Sequence, residues 1–239
     1  MTALDVRIEL AKLAHELRVD PGDLAFLEVL TAAEVARLRA LATQALFSPH
    51  EHRFSRLAKA AKLVPPPMAA KVTQVALTPL VAARVSAVID PPLAVRMSSH
   101  FDPAYLAKVT PHLDPTRTAP VVTGLPEDLL VDVGRRMVAA EQWVALGRFV
   151  SLISAEASLR VVEQASGLEL LRIALHTDDP SSLEAVIDGL PDDRLGDIAR
   201  AAEEAGEVDE ALALLGGLSS DIADRVAVSR EAGCAGRTA

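Results

Sequence analysis

Three patterns of side chains in this sequence could do chemistry. The first is a run of acids: Asp178, Asp179, Asp188, Asp192, Asp193, Asp197, Glu203, Glu204, Glu207, Asp209 and Glu210. Mg²⁺ takes a few hard oxygen ligands and keeps several waters, so two or three carboxylates on adjacent helical turns could hold it weakly. Asp193 and Asp197 stand four apart and so share one helix face. With Asp188 and Asp192 they form the candidate metal set, and weak Mg²⁺ is the only cofactor this sequence suggests. The competing role is helix capping: Asp179 and Asp192 or Asp193 fall where N-caps and first-turn acids complement the helix dipole. The loop spacing of an EF-hand is absent.

The second pattern is His-x-Asp, at His100-Phe-Asp102, His112-Leu-Asp114 and His176-Thr-Asp178. Imidazole titrates near neutrality, so these could form a transition-metal site or a pH sensor. The simpler reading is that His closes one helix against its dipole while Asp caps the next. His50-Glu51-His52 offers two imidazoles, but side chains at that spacing on a helix do not converge. The third pattern is basic: Arg53, Arg56, Lys59 and Lys62 recur at helical spacing and form a stripe that could face a protein, a nucleic acid or an anionic lipid surface. Base-stacking aromatics are absent beside it except Phe54, and the sequence pI of about 5.2 argues against nucleic acid. A partner protein is the expected occupant. No nucleophile constellation stands out. Ser98-Ser99, Ser181-Ser182 and Ser219-Ser220 read as turns or caps, and no G-x-S-x-G or Gly-rich phosphate loop occurs. Cys234 lies in a tail without a positioned base. A non-catalytic protein is expected.

The elements that must position these groups are helical. The chain has 239 residues, 50% hydrophobic but only 3% aromatic. Its core must therefore be Ala, Leu and Val, which favours close-packed helices over strands. Mean hydropathy is +0.26, yet the longest uncharged run, Val72 to Ala83, falls well short of the roughly 20 apolar residues a spanning helix needs. No signal peptide is evident, and a single cysteine forms neither a disulfide framework nor a cysteine metal site. The expected compartment is the cytoplasm. Charge is uneven: Ser48 to His112 holds eight Lys/Arg against three acids, a net +5, and Asp178 to Glu210 holds two against twelve, a net −10. Such polarity suggests two surfaces with different partners, or association of one end with the other in a homo-oligomer.

Repeats organise the chain. Pro66, Pro79, Pro91, Pro103 and Pro115 lie 12 or 13 residues apart. Four residues after most of them comes Ala (Ala70, Ala83, Ala107, Ala119), and six after comes an apolar residue (Val72, Val85, Met97, Val109, Val121). Asp90, Asp102 and Asp114 precede three of these prolines. Asp is a strong N-cap, Pro suits the first helical position, and Pro disfavours helix in the residue before it. A string of two-turn helices follows. A longer repeat relates Asp114–Arg135 to Asp179–Arg200, with ten identities in 22 positions at an offset of 65. Gly124 and Gly189 recur in it, where a left-handed helix end is expected. The alignment continues, placing Trp143, a presumed core anchor, opposite Val208 and Phe149 opposite Leu214.

The first 47 residues differ. Ala3–Leu17 and Thr31–Phe47 read as longer helices separated by Asp20-Pro21-Gly22, with Leu4, Ile8, Leu13 and Leu17 on one apolar face and Val35, Leu38, Leu41 and Leu46 on the other. The expected organisation is an N-terminal helical cap (1–47), a short-helix solenoid (48–229, with repeat units 114–178 and 179–229) and a flexible tail (230–239).

Leu113-Asp114-Pro115 and Val121 to Asp128, with their second copies at Asp179-Pro180 and Val186 to Asp193, resemble the cytoplasmic N-domain of MgtE-type magnesium transporters. That domain is related in fold to part of the flagellar motor switch protein FliG. The resemblance covers roughly Ile89 to Ala227. It implies an all-α fold, a right-handed superhelix of short helices, and acidic residues that help sense Mg²⁺. The CBS domains and membrane domain of those transporters have no counterpart here, so the implied role is a stand-alone docking module or, alternatively, a Mg²⁺-sensing regulator, without transport.

Overall fold

Every regular element in the computed structural model is a helix, and no strand occurs among the described residues, which are 3–48 and 51–235, with side chains described for 5–48 and 51–229. The helices are α1 (Ala3–Leu17), α2 (Ala32–Phe47), α3 (Glu51–Ala61), α4 (Pro66–Ala76), α5 (Pro79–Ser86), α6 (Pro91–Ser98), α7 (Pro103–Val109), α8 (Pro115–Val122) and α9 (Glu127–Ala139). They continue as α10 (Trp143–Phe149), α11 (Ala155–Val161), α12 (Gly167–Leu175), α13 (Ser181–Gly189), α14 (Asp192–Ala205), α15 (Val208–Leu215) and α16 (Ser220–Ala235). A 3₁₀ turn over Pro21–Leu27 separates α1 from α2. The chain divides into two compact units, Met1–Arg136 and Met137–Ala239. The cap boundary expected at residue 47 falls inside the first unit. Helix α16 runs to Ala235, into the segment expected to be a flexible tail, and His50 and residues 236–239 lie outside the described residues.

Each of the five spaced prolines is the first residue of its helix, α4 to α8. Asp102 accepts from the Ala104 N–H at 2.8 Å, and Asp114 from those of Thr116 and Arg117 at 3.0 and 3.3 Å. The Asp90 side chain makes no such bond, so at α6 the restriction of backbone by Pro91 starts the helix alone. Elsewhere Thr31 and Ser166 form capping boxes with Glu34 and Glu169, each satisfying two orphan groups reciprocally.

Helices this short are unstable alone, and many of them pack on the helix two places away. In the first unit α3 packs on α5, α4 on α6, α5 on α7 and α6 on α8; in the second α10 packs on α12, α11 on α13, α12 on α14 and α14 on α16. Ala58, Ala69, Val85, Ile89, Leu93 and Met97 form one core cluster of the first unit. The 65-residue offset reappears in the elements: α8, α9, α10 and α11 begin at 115, 127, 143 and 155, and α13, α14, α15 and α16 begin at 181, 192, 208 and 220.

Two expectations are corrected. The buried face of α1 is Val6, Leu10, Leu13 and Ala14, not the expected set: only Leu13 is shared, Leu17 is exposed, and the side chain of Leu4 is not described. On α2, Val35 and Phe47 are fully buried while Leu38, Leu41 and Leu46 face solvent. The reason is the partner: α2 meets α1 through Val35 and Ala42, and buried Lys12 is paired with Glu9, which also pairs with Arg39 across the two helices, at 3.0 and 3.1 Å. Gly124 and Gly189 are not left-handed; among the described residues Gly206, at the end of α14, is the glycine with positive φ. The shared need is space: a Cβ on Gly124 would meet Val95 of α6 at 2.9 Å, and one on Gly189 would meet Leu159 of α11. α6 and α11 stand two helices before each glycine's own helix, so the recurrent glycine belongs to the alternate packing.

Gly147 is more tightly bound by that packing, because its Cβ would run into the Ile173 carbonyl and backbone of His176. Backbone cannot step aside as a leucine methyl can. Gly147→Ala is expected to cost about 1–3 kcal/mol and Gly189→Ala less, which denaturant unfolding of the full chain will measure.

Candidate functional site

The clearest candidate surface is on α3, α4 and the turn between them. The inner side of α3 is apolar: Ala58 is buried, and Phe54 and Ala61 pack on the same cluster. Its outer side carries Arg53, Arg56 and Lys59, with Lys62 in the turn, all four exposed. The sequence holds no acid between Glu51 and Asp90, and none of these four, nor exposed Lys71, forms an ion pair among the described residues. The structure therefore brings the four stripe residues together as one solvated cationic face.

The position of α4 is fixed from behind. Ala69 and Ala70 are buried. Gln74 accepts from the Asp102 N–H at 2.9 Å and donates to the His100 carbonyl at 3.4 Å. The Tyr105 hydroxyl lies 3.3 Å from the carbonyls of Thr73 and Leu77, and burial pushes that phenol above its ordinary pKa. What α4 shows to solvent is then a row at i, i+4 and i+7: Met68, Val72 and Val75, exposed by 58, 59 and 83%. Leu63 before it is 85% exposed. Apolar residues at that spacing normally face a core. Val72 occupies the sixth repeat position, whose counterparts Val85, Met97 and Val109 are buried and Val121 half-buried. The repeat thus marks Val72 as a packing residue, and the structure leaves it without a helix to pack on. Sequence reasoning found the basic stripe and missed this apolar one, although the repeat alignment contained the signal.

The four candidate metal residues are distributed differently. The Arg225 guanidinium lies 2.8 Å from Asp192 and 3.9 Å from Asp188, and it also donates to the carbonyls of Ile187, Asp188 and Leu190. It staples the end of α13 to the start of α14. Asp197 is paired with Arg200, and Asp193 accepts from the Arg194 N–H at 3.0 Å. Asp188 and Asp192 are thus brought together, but around an arginine. Among the described residues no three His, Cys, Asp or Glu side chains form a group able to hold a metal ion. Of the remaining acids, Asp179 accepts from Ser181 at the start of α13, Asp178 lies 3.7 Å from buried Arg148, and Glu207 pairs with Arg172 at 3.0 Å.

No protein-family model, no curated protein and no solved structure matches the chain. The reading of its function therefore rests on its own geometry.

The His-x-Asp residues divide the same way. His176 ends α12 with Nδ1 2.7 Å from the Arg172 carbonyl. His112 ends a 3₁₀ turn two residues before the Asp114 cap of α8 and stands 3.3 Å from Arg18. His15 reaches the neighbouring Pro111 carbonyl at 2.7 Å. Close by, the guanidinium carbons of Arg117 and Arg84 sit 4.2 and 5.9 Å from the centre of the fully buried Phe47 ring. Burial, then Arg18, His15 and Arg84, hold His112 below its ordinary pKa. The folded state therefore favours neutral imidazole. Stability from this group is fully present above the unfolded value of about 6.5 and is lost as pH falls through the lower folded value. His112→Gln is expected to flatten the fall in Tm between about pH 7 and pH 5; an unchanged slope would contradict this.

Proposed function

We propose that this chain is a non-catalytic protein-interaction module of the cytoplasm, built as a solenoid of short helices, that docks an acidic, apolar-faced helix of a partner protein on α3 and α4. The observation that carries the reading is the exposed Met68, Val72 and Val75 row beside five unpaired cations. An amphipathic helix laid along such a row buries its anchors at the same spacing. A partner with acids flanking those anchors complements Arg53, Arg56, Lys59, Lys62 and Lys71, which speeds encounter and fixes register. The alternate packing of helices supports the solenoid, and so does the resemblance to MgtE N-domains. No described helix is long and apolar enough to cross a membrane.

The test uses a fluorescent amphipathic peptide with Leu at helical spacing and Glu on its flanks. It should bind the full chain, and Val72→Ser with Val75→Ser should weaken it by about tenfold or more, the equivalent of about 1.4 kcal/mol. Lys59→Glu with Lys62→Glu should weaken it and remove most of its salt dependence. Vesicles of anionic phospholipid are the contrasting probe. Capture by vesicles, with no peptide binding, would overturn the reading in favour of a lipid surface.

The alternative reading, a Mg²⁺-sensing regulator acting through Asp188, Asp192, Asp193 and Asp197, makes a separate demand. A ligand that binds only the native state raises Tm. With Arg225 and Arg200 already among these carboxylates, millimolar Mg²⁺ is expected to leave Tm at the value of a matched salt control. A Mg²⁺-specific rise abolished by Asp193→Asn and Asp197→Asn would favour the sensor instead.

A further inference from the structure

We propose that the second unit holds a binding cavity for a neutral apolar small molecule, a hydrocarbon frame carrying one hydroxyl or carbonyl group. A cavity of about 440 Å³ lies among α11 to α16, within the size range of small-molecule sites. Protein interiors are otherwise packed as densely as organic crystals. The walls are aliphatic, with Leu171, Ile187 and Ile198 among them, and among the described residues no Lys, Arg or His contributes. Water has few partners in such a space.

The internal repeat explains why the space exists. Helix α10 is the first-copy counterpart of α15. In the same places it carries Trp143, half-buried rather than the expected core anchor, and Phe149, which is buried. The residues 65 positions on are Val208 and Leu214, both smaller, and both line the cavity. α15 also carries Leu212 and Leu215, and none of its residues is buried; Leu212 is 54% exposed. The helix is joined to its neighbours by Gly206, with φ of 72°, and by Gly216-Gly217. An apolar helix with no buried residue, hung between glycines over an aliphatic cavity, has the form of a wall completed by a guest.

The polar groups select the guest. Ser158, in the wall on α11, is nine-tenths buried, and its hydroxyl has no hydrogen-bond partner among the described residues. A buried hydroxyl left unpaired is costly, and it can give or accept one bond. At the mouth stands exposed Glu203. A carboxylate ligand would find no cation there among the described residues and would meet that acid. A neutral guest meets no such repulsion, and rotation of the Ser158 side chain from its present shielded position would bring its hydroxyl to a hydroxyl or carbonyl on the guest.

The experiment titrates the full chain with N-phenyl-1-naphthylamine, an uncharged fluorophore. The expected result is saturable one-to-one binding with a blue shift, displaced by 1-dodecanol and at least about tenfold less well by dodecanoate at neutral pH. Val208→Trp and Leu214→Phe each install the residue of the first copy. Each should raise Tm without ligand and weaken the fluorophore by about tenfold or more, with helical circular dichroism retained. Val75→Ser, in the docking row of the other unit, should leave fluorophore binding unchanged. Absence of saturable binding would overturn the proposal. So would binding that survives both filling variants, or that is lost in Val75→Ser and so belongs to the exposed row on α4. Equal displacement by dodecanoate would overturn the assignment of a neutral ligand.

Discussion

Two-turn helices cannot hold their own backbone hydrogen bonds in water, and the rest of this structure follows from that. Nucleating a helix costs more than a turn or two of propagation returns, so each short helix here depends on burying an apolar side against another. Much of the chain meets this need by alternation, a helix packing on the one two places further along, while α1 packs on α2 and α15 lies against α12 and α14. Prolines at the first positions of α4 to α8 stop each helix from running into the next, so this part of the chain turns every 12 residues or so. The core is accordingly built from Ala, Val, Leu and Met, which let two backbones approach, and from glycines such as Gly147, where a single methyl would collide with a neighbour's carbonyl.

The same constraint explains where the candidate functional features sit. In a stack of this kind an apolar position is neutral only while its alternate neighbour is present and of the right size. At α4 no helix covers the outward row, and Met68, Val72 and Val75 are left to solvent beside a band of cations. At α15 the neighbours are present, but Val208 and Leu214 are smaller than their first-copy counterparts, and the difference is left as a cavity. Each is a departure from the repeat, and each has its own chemistry: a cationic surface in one unit, an aliphatic cleft in the other. The acids of the second unit are drawn into structural work. Arg225 joins α13 to α14 through Asp192 and three carbonyls, much as a cation at a helix C-terminus would.

How much of this could be read from the amino-acid order depends on the range of the interaction. The prolines and their preceding Asp residues are local signals, and they located the first residues of α4 to α8. The all-helical class followed from a composition nearly free of aromatics. The apolar faces of α1 and α2 were misjudged because spacing identifies residues that share a side without saying which side a partner will take: Phe47 is buried beneath Arg84 and Arg117, far along the chain. The meeting of Asp188 and Asp192 on Arg225 spans more than 30 positions and leaves no periodic trace. The recurrent glycines were noticed for the wrong physical reason, since sequence shows a small residue but not whether backbone angle or a close neighbour requires it.

The central functional claim is that the α4 row is an apolar docking surface tuned by charge, and heat capacity tests it most directly. Binding of the acidic amphipathic peptide should be measured by titration calorimetry at several temperatures and two salt concentrations. Burial of apolar area gives a negative heat-capacity change, whereas charge pairing alone does not give that marker. The account predicts a clearly negative heat-capacity change that persists at high salt, with an affinity that falls as salt rises. An affinity that depends on salt with no heat-capacity change would contradict it, leaving the cations as a solvated band and the apolar row without a role.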